Sequence, residues 1–187
     1  EVGRPAYHEE LYPHLTVTPA IFERQLRYLA LHGHTFVPMD ELGVSLRRGV
    51  RKPTVVYFDD GFRNVRSEAL PILKKYHVPA TVFVTSGVPD GEVTRMPRFT
   101  EADIPPELAA EIFLSWEELQ ELKGEGVAIG AHGLSHKKFT ECSHEELVQE
   151  LAVPRKRIEE MVGGAADLLS DPHGRANEAV ARAAREA

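Results

Sequence analysis

The chain is poor in cysteine. Cys142 is the only one among 187 residues, which excludes an internal disulfide, a cysteine-built zinc site and a dithiol redox pair. Long apolar runs are missing as well, since none approaches the roughly 18 residues of a membrane-spanning helix, and Glu1 does not open a signal peptide. There is no excess of basic charge. With 22 Lys and Arg against 29 Asp and Glu, the formal charge of -7 leaves no cationic footprint for nucleic acid or an anionic membrane surface. A neutral or cationic partner is easier to accommodate. Two basic clusters, Arg47, Arg48, Arg51 and Lys52, then Arg155, Lys156 and Arg157, read as solvated ends of elements. Aromatic residues make up 7% of the chain, and its single tryptophan, Trp116, falls in the first turn of an expected helix, where packing is its expected role.

What is present is a core-forming composition, 42% hydrophobic, in a chain of the right length for one domain spanning 1–187. Strand-like and helix-like segments alternate along it. "VTPAIFERQLRYLALHG" predicts a helix capped by Thr18, begun by Pro19 and stopped by Gly33. "HTFVPMDEL" predicts a short strand and a helical turn, and "PTVVYF" a buried strand containing Tyr57 and Phe58. Residues 65–77 carry a helical pattern that Pro71 must kink or restart. "VPATVFVT" and "VAIGAH" predict further strands. "SWEELQELKGEG" and "SHEELVQELAVPRKRIEEMV" each open on a capping box, Ser115 with Glu118 and Ser143 with Glu146, and Pro154 is expected to distort the second helix. A short "ADLLS", a turn "DPHG" and a helix "NEAVARAAREA" follow. The long polar stretch from Ser86 to Glu111 reads as irregular and as a candidate substrate-shaping loop. Alternation of this kind predicts an α/β fold with parallel strands, either a barrel or an open doubly wound sheet, with function at the C-terminal ends of the strands.

Two clusters sit at such ends. In "VVYFDDGF", Asp59 and Asp60 are adjacent, and successive strand residues point to opposite faces, so both carboxylates serve one site only if the strand stops there and Gly61 turns the chain. The plainer alternative is one aspartate capping a helix and the other facing water. In "AHGLSH", His132 and His136 stand at i and i+4; a helical turn between them would bring the imidazoles to one face, about 5 to 6 Å apart at Cβ. Two histidines and one aspartate supply three nitrogen and oxygen ligands with a fourth position open, the composition of a catalytic zinc-type site. The second aspartate is then free to act as a base in hydrolysing an amide or ester.

"VVYFDDGF", "FLSWEEL", "VAIGAHGLSH" and "DPHGRANEAVARAARE", in this order, together with "VTPAIFERQLRYLALHGHTFVPMDEL", resemble the polysaccharide deacetylase family, also called the NodB-homology or carbohydrate esterase family 4 domain. The resemblance covers most of the chain. It implies a distorted (β/α) barrel that removes acetyl groups from sugars with a divalent metal, zinc or cobalt. It further implies Asp59 as catalytic base and Asp60, His132 and His136 as metal ligands.

The third family motif departs from pattern: Ser170 stands where an arginine is usual and His173 replaces an aromatic residue, while Pro172 and Gly174 match. The main-chain N–H of His173 can still support an oxyanion beside Pro172, and His173 is a candidate acid. The family's own general-acid histidine lies beyond a further strand, so the barrel is expected to be incomplete at the C-terminus. Tyr57 is a candidate platform for a pyranose ring, and His8, in "AYHEE", resembles the family's opening segment. The expected substrate is an acetylated polysaccharide or oligosaccharide, with N-acetylglucosamine units of a cell-wall or matrix polymer favoured over acetylated xylan, and an extracytoplasmic or cell-envelope setting. The competing readings are a metal-containing glycan-binding domain with impaired catalysis, and an aspartate-based phosphatase. The latter fits poorly, because its two aspartates are normally separated by one residue.

Overall fold

The computed structural model describes residues 16–92 and 106–187. The chain forms two compact units, one ending at Phe58 and resuming over Phe62–Thr81, the other made of Asp59–Gly61 and Val82–Ala187.

In the first unit, helix α1 (Pro19–Leu31) starts as expected: the Thr18 hydroxyl accepts from the Ile21 N–H at 3.3 Å and Pro19 occupies the first turn. It buries Phe22 and Leu26, and Phe22 meets Phe58 edge-on at 5.8 Å between ring centroids. On its exposed side Glu23 accepts from Lys75 Nζ at 2.8 Å and from Tyr76 Oη at 2.6 Å. Strand β1 (Thr35–Phe36) pairs in parallel with β2 (Pro53–Thr54), Thr35 opposite Pro53 and Phe36 opposite Thr54, with α2 (Leu42–Arg47) between them.

The single strand expected over "PTVVYF" is two. Val55 separates β2, which pairs with β1, from β3 (Val56–Phe58), which lies beside β4 (Ala80–Val84). A strand that changes partner must break its ladder, and no local pattern announces that. Phe58 is buried as expected, whereas Tyr57 is 51% exposed, so it does not pack within the strand. Before Pro71 the helix widens into a π turn (Val65–Ala69) and runs on without a break into α3 (Leu70–Tyr76), Ala69 and Leu70 both keeping helical dihedrals. The widened turn lies where the helix takes in a proline that cannot donate.

In the second unit, the rest of β4 is buried throughout and neighbours β5 (Ala128–Ala131). The approach is close at Gly130, where an added Cβ would lie 2.6 Å from the Phe83 ring and 2.9 Å from the Leu168 carbonyl oxygen. "ADLLS" extends this sheet, for Leu169 bridges in parallel to Ala131 and the Ser170 N–H donates to the Ala131 carbonyl at 2.9 Å. Helix α4 (Pro106–Ile112) forms at the end of the stretch expected to be irregular; residues 93–105 of that stretch lie outside the described residues. Its helical end corrects the reading of Ser86 to Glu111 as loop throughout.

Both capping boxes are present, at α5 (Trp116–Gly124) and at α6 (His144–Met161). Pro154 lies inside α6, which continues past it to Met161. The chain ends in α7 (Glu178–Glu186), capped by Asn177 and packed through Val180 and Ala183 on Phe139, Leu147 and Leu151. Trp116 is buried and its indole N–H donates to Asp90 at 2.7 Å. Arg157 ion-pairs with Asp90 at 3.0 Å and Glu92 at 2.8 Å, and Arg155 with Glu159 and Asp167. The second basic cluster is thus a paired surface in the interior of α6, not a solvated element end.

Candidate metal centre

The turn after Phe58 starts one residue before the glycine expected to make it. Asp60 itself is left-handed, with φ 70°, and Gly61 follows at φ 76°. Aspartate tolerates this region better than most side-chain-bearing residues. The Leu114 N–H donates to the Gly61 carbonyl at 2.9 Å and fixes the turn, leaving the Asp60 side chain buried.

His132 follows β5 directly. Its N–H donates to the Val84 carbonyl at 2.8 Å, and its ring Nδ1 lies 2.9 Å from the Ser170 carbonyl oxygen. A carbonyl can only accept, so Nδ1 carries the proton and Nε2 presents its lone pair when the ring is neutral. That Nε2 lies 3.4 Å from Asp60 Oδ1, and His136 Nε2 lies 3.1 Å from the same oxygen. The donor atoms of Asp60, His132 and His136 fall within 4.8 Å of one another, and all three residues are buried. Two ligands about 2.1 Å from a tetrahedral zinc stand about 3.4 Å apart, so these separations suit ligands around one cation. Buried nitrogen and carboxylate donors of this kind fit zinc and, by the same donor set, cobalt.

The histidines do not converge through a helical turn as expected. Residues 132–136 form a bent loop, with Gly133 at φ 80° and His136 at φ 58°, and the two rings are 5.0 Å apart between centroids. The loop is held from both sides. Its carbonyls at Gly133 and Leu134 accept from the Ser86 and Gly87 N–H groups, each at 3.0 Å, and its N–H groups at Leu134 and Ser135 donate to Glu150 Oε2 at 2.8 and 3.0 Å. The Ser135 hydroxyl donates to the other oxygen of Glu150. Sequence reasoning missed Glu150. The signal was there, for Glu150 falls on the buried stripe of α6 with Leu147, Leu151, Pro154 and Ile158, and a carboxylate on an apolar stripe needs dedicated donors.

The residues of the candidate site perturb one another. Burial pushes the Asp60 carboxyl up, but the adjoining His132 and His136 imidazoles outweigh it and hold Asp60 well below the usual carboxylate range. Burial pulls the His132 imidazole down, and Asp60 and Asp59 override it, so His132 lies above the ordinary histidine value. A pocket that keeps a buried carboxylate ionised favours positive charge beside it.

The family model for polysaccharide deacetylase matches residues 47–187. The chain belongs to that family. YxkH of Bacillus subtilis (strain 168), a polysaccharide deacetylase by name, is 24% identical over 175 residues, covering 92% of this chain and 56% of its own length. The chain therefore spans little more than half of that relative. A poly-beta-1,6-N-acetyl-D-glucosamine N-deacetylase of Staphylococcus aureus (strain MSSA476) is 32% identical over 74 residues, 38% of this chain and 26% of the relative. Among solved structures, the Streptococcus pyogenes deacetylase PplD in complex with acetate aligns with a TM-score of 0.79 at 21% identity, over 99% of this chain and 76% of that one. The de-N-acetylase from Aggregatibacter actinomycetemcomitans aligns at 0.77 and 21% identity, over 100% and 81%. The fold of this deacetylase-family chain is the α/β fold of the NodB-type deacetylases, with parallel strands as anticipated.

Around the cluster, Asp59 precedes the Asp60 turn in the same unit; its Oδ1 is buried without a hydrogen-bond partner among the described residues. His173 is half-buried with φ 61°, and its ring lies 4.8 Å from that of His136 between centroids. Pro172 is buried beside it. Burial pushes the Asp171 carboxyl above its ordinary value, against the opposing charge of His132. Ser170, where the family usually has arginine, serves His132 through its main-chain carbonyl. Tyr57 belongs to the first unit, and His8 lies outside the described residues.

Proposed function

We propose that this chain is a single metal-dependent catalytic domain over 1–187 that hydrolyses acetyl groups from sugars, acting on N-acetylglucosamine units of a cell-wall or matrix polysaccharide. The observation that carries this reading is the convergence of Asp60, His132 and His136 on a common point within 4.8 Å, with Asp59 next in the chain. Family membership supplies the reaction class, and the partial likeness to a poly-beta-1,6-N-acetyl-D-glucosamine N-deacetylase favours the amide over an ester.

Asp60, His132 and His136 would hold the metal, zinc or alternatively cobalt. When bound, a divalent cation there polarises an acetyl carbonyl and makes water a stronger acid. Asp59 acts as general base: its buried Oδ1 accepts no hydrogen bond from the described residues, so its lone pairs remain available for the proton of the attacking water. The Ser170 carbonyl keeps His132 in one tautomer, so that its Nε2 lone pair stays on the ligand side. The main-chain N–H of His173, beside Pro172, is assigned to the developing oxyanion, and the His173 imidazole to protonation of the leaving amine. Tyr57 offers an exposed aromatic face to a sugar ring. A polymeric substrate fits an extracytoplasmic or cell-envelope setting; among the described residues no helix is long and apolar enough to cross a membrane.

Ser170 supports one competing reading, since its short side chain stands where the family usually has an arginine to orient the base. Acetate release from N-acetylglucosamine oligomers by the zinc-loaded protein and by Asp59→Asn separates the two. Release by the parent and a loss of at least a hundredfold in the variant support the deacetylase. Oligomer binding with no release by a zinc-loaded parent overturns it in favour of a glycan-binding domain.

A further inference from the structure

Glu150 is buried at 3% exposure in α6, fourteen residues beyond His136 in the chain. Among the described residues its three hydrogen bonds go to the loop between the two histidines: Oε2 accepts from the N–H groups of Leu134 and Ser135, and Oε1 from the Ser135 hydroxyl. Gly133 completes the fit, for a Cβ there would lie 3.0 Å from Glu150 Oε2 and 3.2 Å from the Phe139 ring. The side chain is thus seated against the bend rather than merely near it.

The bend is what converts a four-residue spacing into two convergent imidazoles. His132 is anchored by strand hydrogen bonds and by the Ser170 carbonyl, while His136 sits at φ 58°, a region that a β-carbon makes costly. Some interaction outside residues 132–136 must hold that conformation. The Ser86 and Gly87 amides satisfy the loop's carbonyls, and Glu150 alone among the described side chains satisfies its adjacent N–H groups. Resting on the metal-site reading above, we infer that Glu150 is the positioning residue for the second ligand: its carboxylate locks the 133–135 bend and thereby sets where His136 Nε2 meets Asp60. Burying a carboxylate is costly unless several donors meet it, and the donors here come from a single loop, so their geometry and that of the site are tied.

The test uses Co²⁺ and Zn²⁺ as probes on the metal-stripped full chain, read by titration calorimetry and by the visible Co²⁺ absorption bands, well below each variant's Tm. Glu150→Ala is expected to bind Zn²⁺ about 10- to 100-fold more weakly, with altered Co²⁺ bands, as outer-sphere partners of ligands typically do. Glu150→Gln keeps an oxygen acceptor for the two amides and an N–H₂ for Ser135 Oγ, so it is expected to restore affinity to within about fivefold of the parent. Leu151→Ala, on the same helix, is expected to lower the Tm without moving affinity or bands. If Glu150→Ala does not fold, Glu150→Asp, one methylene shorter, replaces it with the same expectation. A folded Glu150→Ala or Glu150→Asp that binds like the parent overturns the role of Glu150 and leaves the metal site standing. Loss of affinity in Leu151→Ala equal to that in Glu150→Ala overturns it too, by showing a general stability effect. A parent that binds neither metal removes the site and, with it, this inference.

Discussion

The rings of His136 and His173 lie 4.8 Å apart between centroids and are tilted by 53°, and both residues have left-handed backbones, φ 58° and 61°. One is a proposed metal ligand and the other stands where the family places an aromatic side chain. His173→Phe keeps a ring for His136 to pack on and removes the only titratable group at that position. If His173 protonates the leaving amine, the variant keeps its zinc and its fold while kcat falls by about 100-fold or more and KM changes little. Steady-state kinetics on zinc-loaded protein decide it; an unchanged kcat leaves His173 a packing residue.

Removing the metal should destabilise the chain in proportion to its occupancy. At a free Zn²⁺ concentration 100 times the Kd, binding contributes about 2.7 kcal/mol to folding stability. Chelation is therefore expected to lower the Tm, and added Zn²⁺ to restore it. His136→Ala, lacking one of the three clustered donors, should show no such Zn²⁺-dependent shift. Differential scanning calorimetry with and without chelator measures both.

Gly130→Ala tests the close contact of β5 with its neighbours. The new methyl would meet the Phe83 ring at 2.6 Å and the Leu168 carbonyl at 2.9 Å, both too short for carbon. Overpacking of this kind costs about 1 to 3 kcal/mol. Urea unfolding is expected to show that loss, and a change within about 0.3 kcal/mol would mean the sheet yields freely at this point.

The α6 capping box gives a pH dependence with a definite sign. The Ser143 N–H, donating to Glu146 at 2.9 Å, and then Lys137 hold the Glu146 carboxyl below its ordinary value of 4.5. A depressed folded value means stability that is present above the unfolded value and lost as pH falls through the folded one. The stability difference between parent and Glu146→Gln is thus expected to be constant above about pH 6 and to shrink as the pH drops below 4.5. Denaturation curves across that range check it. A difference that grows toward acid pH contradicts the assignment.

Much of this protein was written locally. Thr18 with Pro19, Ser115 with Glu118 and Ser143 with Glu146 start helices because each cap reaches only three residues ahead, and those starts are where the sequence put them. Asp59, Asp60, His132 and His136 could be singled out because carboxylates and imidazoles at strand ends are chemically conspicuous, and because the motifs around them resemble a known family. The tertiary structure alone decided how they meet. Val55 breaks one expected strand into two because β2 and β3 pair with different partners, and the histidines converge through a bent loop rather than a helical turn. Glu150 stood out only as a carboxylate on the apolar stripe of α6, and its partners became visible only when α6 laid it against that loop, because a hydrogen bond between residues 15 or 16 positions apart leaves no periodicity to read. Local backbone preferences act over a few residues and are therefore legible in sequence. Which distant donor satisfies which buried acceptor is set by packing, and packing exists only in the folded chain.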